Sequence, residues 1–169
     1  MKFPSPKTLI SAISLSVALG SAIPALSQVT DSAQSMITLS FVESIVIDNV
    51  NDLNITPTGP NQPATGLDLF CVAGTGFQTF SITFGSTTMP FELSNGTFIV
   101  NYDVFFDNDL SGIITQAFAG VPIPGQMIQN TDCASDNAAF EVSIPAAEWQ
   151  PVQNQGPFTG TLSIMVASE

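Results

Sequence analysis

The sequence contains no histidine, and Lys2 and Lys7 are the only cationic side chains among its 169 residues. The rest of the chain therefore carries 14 carboxylates and no positive side chain. Nucleic-acid binding requires Lys and Arg to displace counterions from phosphates, so this class is excluded. The missing residues also exclude histidine acid–base catalysis, Ser-His-Asp triads, lysine Schiff bases and Walker-type phosphate loops. A carboxylate pair that hydrolyses a glycoside is chemically allowed, but no other feature supports it.

The two lysines precede a segment typical of a cleavable export signal. An apolar core spans residues 9–19, Pro24 follows, and Ala25-Leu26-Ser27 supplies small residues for a cleavage site before Gln28. The apolar core is shorter than the about 20 residues that a membrane-spanning helix needs. We therefore predict that residues 1–27 are removed and that the protein is exported. An uncleaved interfacial anchor is the alternative interpretation.

Cysteine is scarce, and the two present, Cys71 and Cys133, are far apart in the sequence. Their separation is unlike a CxxC redox motif, and two cysteines without histidine do not complete a usual structural zinc site. In an exported protein this pair predicts one disulfide, and a free reactive thiol is the alternative. Such a bridge would stabilise the fold by about 4 kcal/mol in the chain-entropy model.

The remaining chain has the alternation of β-strands and no sustained helical stripe. Once 27 of the 169 residues are removed, about 142 remain, enough for one domain and short for two. Predicted strands cover 66–72, 77–84, 98–106, 113–119, 140–144 and 158–166. Pro145 to Trp149 is the one predicted helical turn. We predict an all-β, immunoglobulin-like antiparallel sandwich at residues 36–169, after a flexible lead at residues 28–35.

The first apolar segment of the domain is interrupted by a charge. Apolar side chains stand at every second position from Ile37 to Phe41. The next position in this alternation is Glu43, and the one after it, Ile45, is apolar again. A carboxylate aimed into an apolar core would cost several kcal/mol. Two functional strands, 36–42 and 44–50, could therefore meet at this point. The alternative is one continuous edge strand with Glu43 at a bulge.

The two ends of the domain resemble a known family. The run Ile37-Thr38-Leu39-Ser40-Phe41-Val42-Glu43-Ser44-Ile45-Val46-Ile47-Asp48 is similar to the N-terminal segment of alternate chaperone–usher pilins, the colonisation-factor fimbrial subunits. The run Gly156-Pro157-Phe158-Thr159-Gly160-Thr161-Leu162-Ser163-Ile164-Met165-Val166 resembles their last strand. A related fimbria-like secreted family with one cysteine pair is equally compatible.

The resemblance implies assembly by donor-strand complementation. Such a subunit is a sandwich that lacks one strand, and the N-terminal segment of the next subunit fills the open groove. Transferred by position, the donor side chains are Ile37, Leu39 and Phe41. The groove strand, which a periplasmic chaperone covers first, carries Phe158, Leu162, Ile164 and Val166. The implied partners are other copies or related subunits, the chaperone and an outer-membrane usher, and the implied location is the periplasm in transit and then the cell surface.

Two further features suggest a binding module instead. Asp107, Asp109 and Ser111 occupy the first ligand positions of a calcium loop, with Gly112 next, but Phe118 stands where a bidentate Glu belongs. The alternative is an Asp/Asn/Gly turn after a strand. Trp149, the only tryptophan, would stack on a sugar in a lectin-like module or pack over the sandwich edge.

These observations favour a non-enzymatic fimbrial or pilus-like structural subunit. No cofactor is predicted, except for the calcium ion that the loop at Asp107 would bind. The alternative is a self-complete secreted β-sandwich that binds carbohydrate, with or without calcium. A hydrolase is the third hypothesis and the least supported.

Overall fold

The computed structural model describes residues 34–86 and 90–169. The predicted signal at 1–27 and most of the predicted flexible lead lie outside these residues. The chain divides into two units, and the boundary between them in the sequence follows Thr38. In the first unit the described residues, 34–38, have no helix or strand. The second unit, Leu39–Glu169, contains all the elements described below.

Ten strands and two short helical segments follow one another along the second unit. They are β1 (Ser44–Asp48), β2 (Ala64–Thr75), β3 (Thr79–Ser86), β4 (Glu92–Ser94), β5 (Ile99–Asn101), β6 (Asp103–Asp107), β7 (Thr115–Ala117), β8 (Pro122–Met127), β9 (Ala138–Ile144), α1 (Ala146–Trp149), a 3₁₀ turn (Gln150–Val152) and β10 (Leu162–Ser168). The helical turn predicted before Trp149 is thus confirmed. No helix among the described residues is long and apolar enough to cross a membrane.

The strands form two antiparallel sheets and one small hairpin. The larger sheet has the order β1-β2-β9-β6-β7, the smaller sheet has the order β10-β3-β8, and β4 pairs with β5. An all-β, immunoglobulin-like fold was predicted from the alternation, and it is confirmed. The prediction had no strand at 122–127, a segment whose prolines cannot donate to a sheet. β8 forms nonetheless, since it lies at a sheet edge.

A phenylalanine cluster joins the two sheets. Phe70, Phe106 and Phe140 come from the larger sheet and Phe84 from the smaller one, and their ring centroids lie 5.8 to 6.2 Å apart. All four are buried, as are the inward residues that alternate with exposed ones along the same strands. Period-two alternation therefore places one face of each sheet in a common core.

The disulfide fixes a long loop onto the outer face of β2. Cys71 and Cys133 are bonded, as predicted, with their Cα atoms 5.6 Å apart. The Asn137 side chain extends the ladder beyond β9: its Oδ1 accepts from Val72 N at 2.9 Å and its Nδ2 donates to Val72 O at 2.8 Å. The amide of Gly74 donates to Asn130 O at 3.0 Å. The loop thereby covers the edge of β2 that β9 leaves open.

Loss of the disulfide should destabilise the domain measurably. The two cysteines are 62 residues apart, and a bridge over a loop of this length contributes about 4 kcal/mol in the chain-entropy model. We expect the double substitution Cys71→Ala and Cys133→Ala to lower the free energy of unfolding in urea by about this amount. Reductant should have the same effect on the natural chain and none on the double variant. An unchanged unfolding midpoint after reduction would contradict this.

Candidate strand-binding groove

The edge strands β1 and β10 lie next to each other on one side of the sandwich. They contact each other where β10 ends, and Ser168 Oγ donates to Glu43 Oε2 at 3.4 Å. From this point the two segments run apart. β1 ends at Asp48, and Asn49 adopts the left-handed conformation with φ 64°, which turns the chain away from the edge of the sheet.

A cavity of about 670 Å³ opens where the two segments have separated. One wall is the segment 50–57, and the opposite wall is the segment 156–162. The floor consists of inward-facing core side chains, namely Ala64, Val100, Tyr102, Phe140, Val142 and Ile144. We call this cavity the groove. The floor side chains come from the large sheet and from residues 100–102, and all of them are buried, with exposed fractions of 1–6%.

The first wall is held in place by Asp68, a carboxylate in the inward phase of β2. Asp68 is buried, and its two oxygens accept from Asn51 N at 2.8 Å and from Asn51 Nδ2 at 3.1 Å. Further along, Ile55 packs directly onto Gly66, where a Cβ atom would lie 2.7 Å from Ile55 Cγ1. The segment after β1 therefore crosses the inner face of β2. Along residues 64–70 of β2, no described strand pairs with the edge opposite β9.

The second wall is β10 and the residues that lead into it. Side chains at every second position face the core and are half-buried, and these are Phe158, Leu162, Ile164 and Val166. The first two line the groove, and the other two continue the row toward the Glu43–Ser168 contact. One edge of β10 pairs with β3, and Thr159 exchanges two backbone bonds of 2.9 and 3.0 Å with Ser94. Among the described residues no strand pairs with its other edge.

The chemistry of the groove suits an extended apolar segment. Tyr102 is the titratable group in the floor; its burial raises the pKa of the phenol, partly offset by the hydrogen bond to Ser86. The phenol therefore stays neutral at physiological pH, and the floor carries no charge. A free strand edge offers main-chain hydrogen bonds, and apolar pockets beside it accept every second side chain of an added strand.

The predicted donor residues are exposed in the described chain. Leu39 is 78% and Phe41 74% accessible to solvent, and both lie outside any strand. Ile37, in the first unit, is 92% accessible. The seating of these side chains in a neighbour's groove stays a prediction.

Val42 and Glu43, which follow the donor residues, contact the turn between β2 and β3. Val42 O accepts from Thr75 Oγ1 at 3.4 Å. A Cβ atom at Gly76, whose φ is +86°, would lie 3.0 Å from Glu43 Cα. This attachment lies at the end of β10 that is remote from the groove.

The loop from Asp107 to Gly112 satisfies its own carboxylates. Asp107 Oδ2 accepts from Gly112 N at 2.7 Å and its Oδ1 from Asp109 N at 3.2 Å. Asp109 Oδ1 accepts from Ser111 N at 3.1 Å, and the hydrogen bonds to Ser111 hold the pKa of Asp109 below its ordinary value. Among the described residues, no three His, Cys, Asp or Glu side chains are grouped to hold a metal ion. Calcium binding at this loop stays a prediction, and so does the alternative that the loop is only an Asp/Asn/Gly turn.

Trp149 lies at one end of the groove, packed against the core. Its Nε1 donates to Gln62 O at 3.2 Å, and its ring is half-buried among the side chains that border the sandwich. It also borders a second, shallower cavity of about 470 Å³ beside Pro57 and Pro60. The sequence did not indicate that Trp149 and the segment 50–57 would line one cavity, or that Asp68 would bind this segment. Asp68 had a visible signal, since it stands in the inward phase between Gly66 and Phe70.

The comparisons with known proteins give one kind of match. No family model matches the sequence, and no curated protein matches it. Among solved structures, the chain is similar to a chain from a chaperone–tip adhesin complex described as vital for synergistic activation of CFA/I fimbriae biogenesis, with 15% identity and a TM-score of 0.53. The match covers 75% of this chain and 41% of that chain, so the chain spans less than half of its neighbour's length. At this identity the similarity establishes the fold.

Removing the Asp68 carboxylate should release the first wall of the groove. We expect Asp68→Ala to lower the free energy of unfolding by about 1–3 kcal/mol, because two hydrogen bonds to Asn51 are lost. Hydrogen exchange of the amides at 50–55 should accelerate together with this loss. The matched control is Asp48→Ala, whose exposed carboxylate accepts only from the neighbouring Asn49 N. Equal effects of the two substitutions would show that Asp68 has no special role.

Calcium should leave the stability of the domain unchanged, because Asp107 and Asp109 are already engaged by backbone amides of their own loop. Thermal unfolding with and without millimolar calcium measures this directly. A rise in Tm that Asp107→Asn abolishes would instead assign the loop to calcium.

Proposed function

We propose that this protein is a non-enzymatic structural subunit of an exported, fimbria-like polymer, related to the alternate chaperone–usher pilins. In this proposal, residues 36–42 of one copy form a strand that pairs with the free edge of β10 in the next copy. The single observation that carries the proposal is the open groove beside that edge, with core side chains as its floor. The fold shared with a chain from a fimbrial complex agrees with it.

The position of Glu43 favours donation between copies over self-completion. Glu43 contacts Ser168 at the end of β10, whereas the groove opens beside residues 156–162. Val42 and Glu43 also lie against the β2–β3 turn at Thr75 and Gly76. To enter its own groove, the preceding segment would have to leave this turn and reverse its direction. Donation to a second copy requires no such rearrangement.

The spacing of the donor side chains matches the groove strand. Ile37, Leu39 and Phe41 stand at every second position, as do Leu162, Ile164 and Val166. Because a strand advances about 3.3 Å per residue, both rows repeat at about 6.6 Å. An added strand next to β10 would place its apolar side chains over the apolar floor of the groove, at the level of the half-buried row.

Contacts of this kind produce open-ended assembly. The donor segment and the groove are different surfaces, so the contact is heterologous and generates rings or filaments. Each copy carries only carboxylates after Lys7, so copies repel one another, and salt that screens this repulsion should favour assembly. Export, a periplasmic chaperone that first covers β10, and an outer-membrane usher belong to the same proposal.

Paired substitutions test the donor and the groove separately. Leu39→Asp should abolish polymer formation, because it would bury an unpaired carboxylate in the groove at a cost of several kcal/mol. This corresponds to affinity weaker by about 100-fold or more. Ser40→Asp is the matched control, since its side chain lies in the opposite phase and should preserve assembly. Heat-labile ladders on gels and electron microscopy of the exported protein measure the polymer.

A mixing experiment identifies the acceptor. Leu162→Asp should block the groove of its own copy and leave its donor segment intact. Mixed with the Leu39→Asp chain, it should yield dimers and no longer polymers. A peptide of residues 36–42 should bind the Leu39→Asp chain and should not bind the Leu162→Asp chain. If the natural chain remains a stable monomer and the peptide binds neither variant, strand donation is wrong, and a glycan panel then tests the self-complete binding module.

A further inference from the structure

The segment 50–57, which forms the first wall of the groove, contains an acceptor sequence for an N-linked sugar. Asn54, Ile55 and Thr56 form the pattern Asn-x-Ser/Thr, with a residue other than proline in the middle. In an exported protein this pattern marks an asparagine that an oligosaccharyltransferase can modify. Because so short a pattern also arises by chance, the three-dimensional setting decides whether the asparagine is a usable acceptor.

The two reacting side chains of this pattern are presented to solvent. Leu53 and Ile55 are half-buried and pack against the core, and Ile55 lies directly on Gly66. Asn54 and Thr56 alternate with them and are exposed. Among the described residues, neither the Asn54 amide nor the Thr56 hydroxyl has a hydrogen-bond partner. Both groups that the pattern requires are therefore available to an enzyme.

The backbone around Asn54 is not part of a sheet. Within the described part of the chain, residues 52–57 form no backbone hydrogen bond. The segment is anchored before them, where Asn51 N donates to Asp68 Oδ2 at 2.8 Å. A segment with few backbone hydrogen bonds opens locally at a low cost in free energy. A transferase can thus take up these residues without unfolding the sandwich.

A second copy of the pattern provides an internal comparison. Asn95-Gly96-Thr97 lies in the turn between β4 and β5. The Asn95 amide is already engaged there, because its Nδ2 donates to Gln155 O at 2.9 Å. Its Oδ1 accepts from the backbone amides of Thr97 at 3.0 Å and Phe98 at 2.8 Å. These bonds hold the side chain in the turn, so the structure distinguishes two asparagines that the pattern treats alike.

The residue two positions before each asparagine also differs. Bacterial oligosaccharyltransferases recognise an acidic side chain at this position, and before Asn54 it is Asp52, whereas before Asn95 it is Leu93. Asp52 is exposed, and its carboxylate has no hydrogen-bond partner among the described residues. The sequence and the structure therefore select the same asparagine.

From these observations we infer that Asn54 is a site of N-linked glycosylation, an inference that rests on the export included in the proposed function. The donor is an oligosaccharide joined through its first sugar to a lipid diphosphate. Nδ2 of Asn54 forms a bond to C1 of that sugar and gives up one proton to a base of the transferase. The bond from C1 to the diphosphate oxygen breaks, and the lipid diphosphate leaves with the electron pair. Since Asn54 is exposed and borders the groove, the oligosaccharide then stands at the rim.

The intact mass of the protein isolated from the cells that encode it tests the inference. We expect the mass to exceed that of the processed sequence by one oligosaccharide, with sugar fragment ions in the spectrum. Asn54→Gln and Thr56→Val should each remove this excess, because they remove the acceptor nitrogen and the required hydroxyl. Thr56→Ser should keep the excess, since the hydroxyl is retained. Asn95→Gln is the matched control and should also keep it.

The same spectrum separates a failure of this inference from a failure of export. A chain that lacks residues 1–27 and has only the mass of its sequence overturns the inference and leaves the proposed function intact. A chain that retains residues 1–27 contradicts the proposed export and the inference with it. A mass excess that persists in Asn54→Gln, or that Asn95→Gln removes, also overturns the assignment to Asn54.

Discussion

The position of the segment that follows β1 determines the character of this sandwich. Asp68 and Gly66 draw that segment onto the inner face of β2, through the hydrogen bonds to Asn51 and the packing of Ile55. Without these two contacts, the chain after Asp48 could continue beside β2 as a strand. With them, part of the edge of β2 is left without a partner among the described strands, and a cavity lies over the core between residues 50–57 and residues 156–162. These contacts with Asp68 and Gly66 therefore hold the first wall of the cavity in place.

Much of the fold follows from the period-two alternation in the sequence. The alternation located β2, β3, β6, β9 and β10, because inward residues such as Val104 and Phe140 must be apolar to be buried. β8 was not predicted; its Pro122 and Pro124 cannot donate to a sheet and are tolerated at an edge. The disulfide was predictable because two cysteines allow only one pairing. Its structural role, holding a loop against β2 together with Asn137, depends on contacts distant in sequence.

The groove was only partly predictable, for a physical reason. The row from Phe158 to Val166 can be read from one strand, since alternation within a strand is a local property. The opposite wall depends on where Asn51, Leu53 and Ile55 lie relative to β2, and this arrangement is set by a buried carboxylate more than ten residues away. A charged residue at an inward-facing position of a strand therefore helps to predict such an arrangement from the sequence. Glu43 and Asp68 both break the apolar alternation: Glu43 directly precedes β1, and Asp68, within β2, binds the segment that follows β1.

The absence of cations constrains how such a domain meets its neighbours. Most protein surfaces combine apolar contacts with charge pairs of opposite sign, and this chain has no such pairs to offer after Lys7. Contacts between copies must therefore rely on backbone hydrogen bonds and apolar burial, which are the properties of a sheet edge. The sandwich has unpartnered edges on two opposite sides, at β10 and at β7, and apolar side chains accompany both. Its carboxylates then keep the remaining surface hydrated and repel copies that approach in other orientations. The lack of cations thus leaves the backbone hydrogen bonds and apolar side chains of the sheet edges as the means of association.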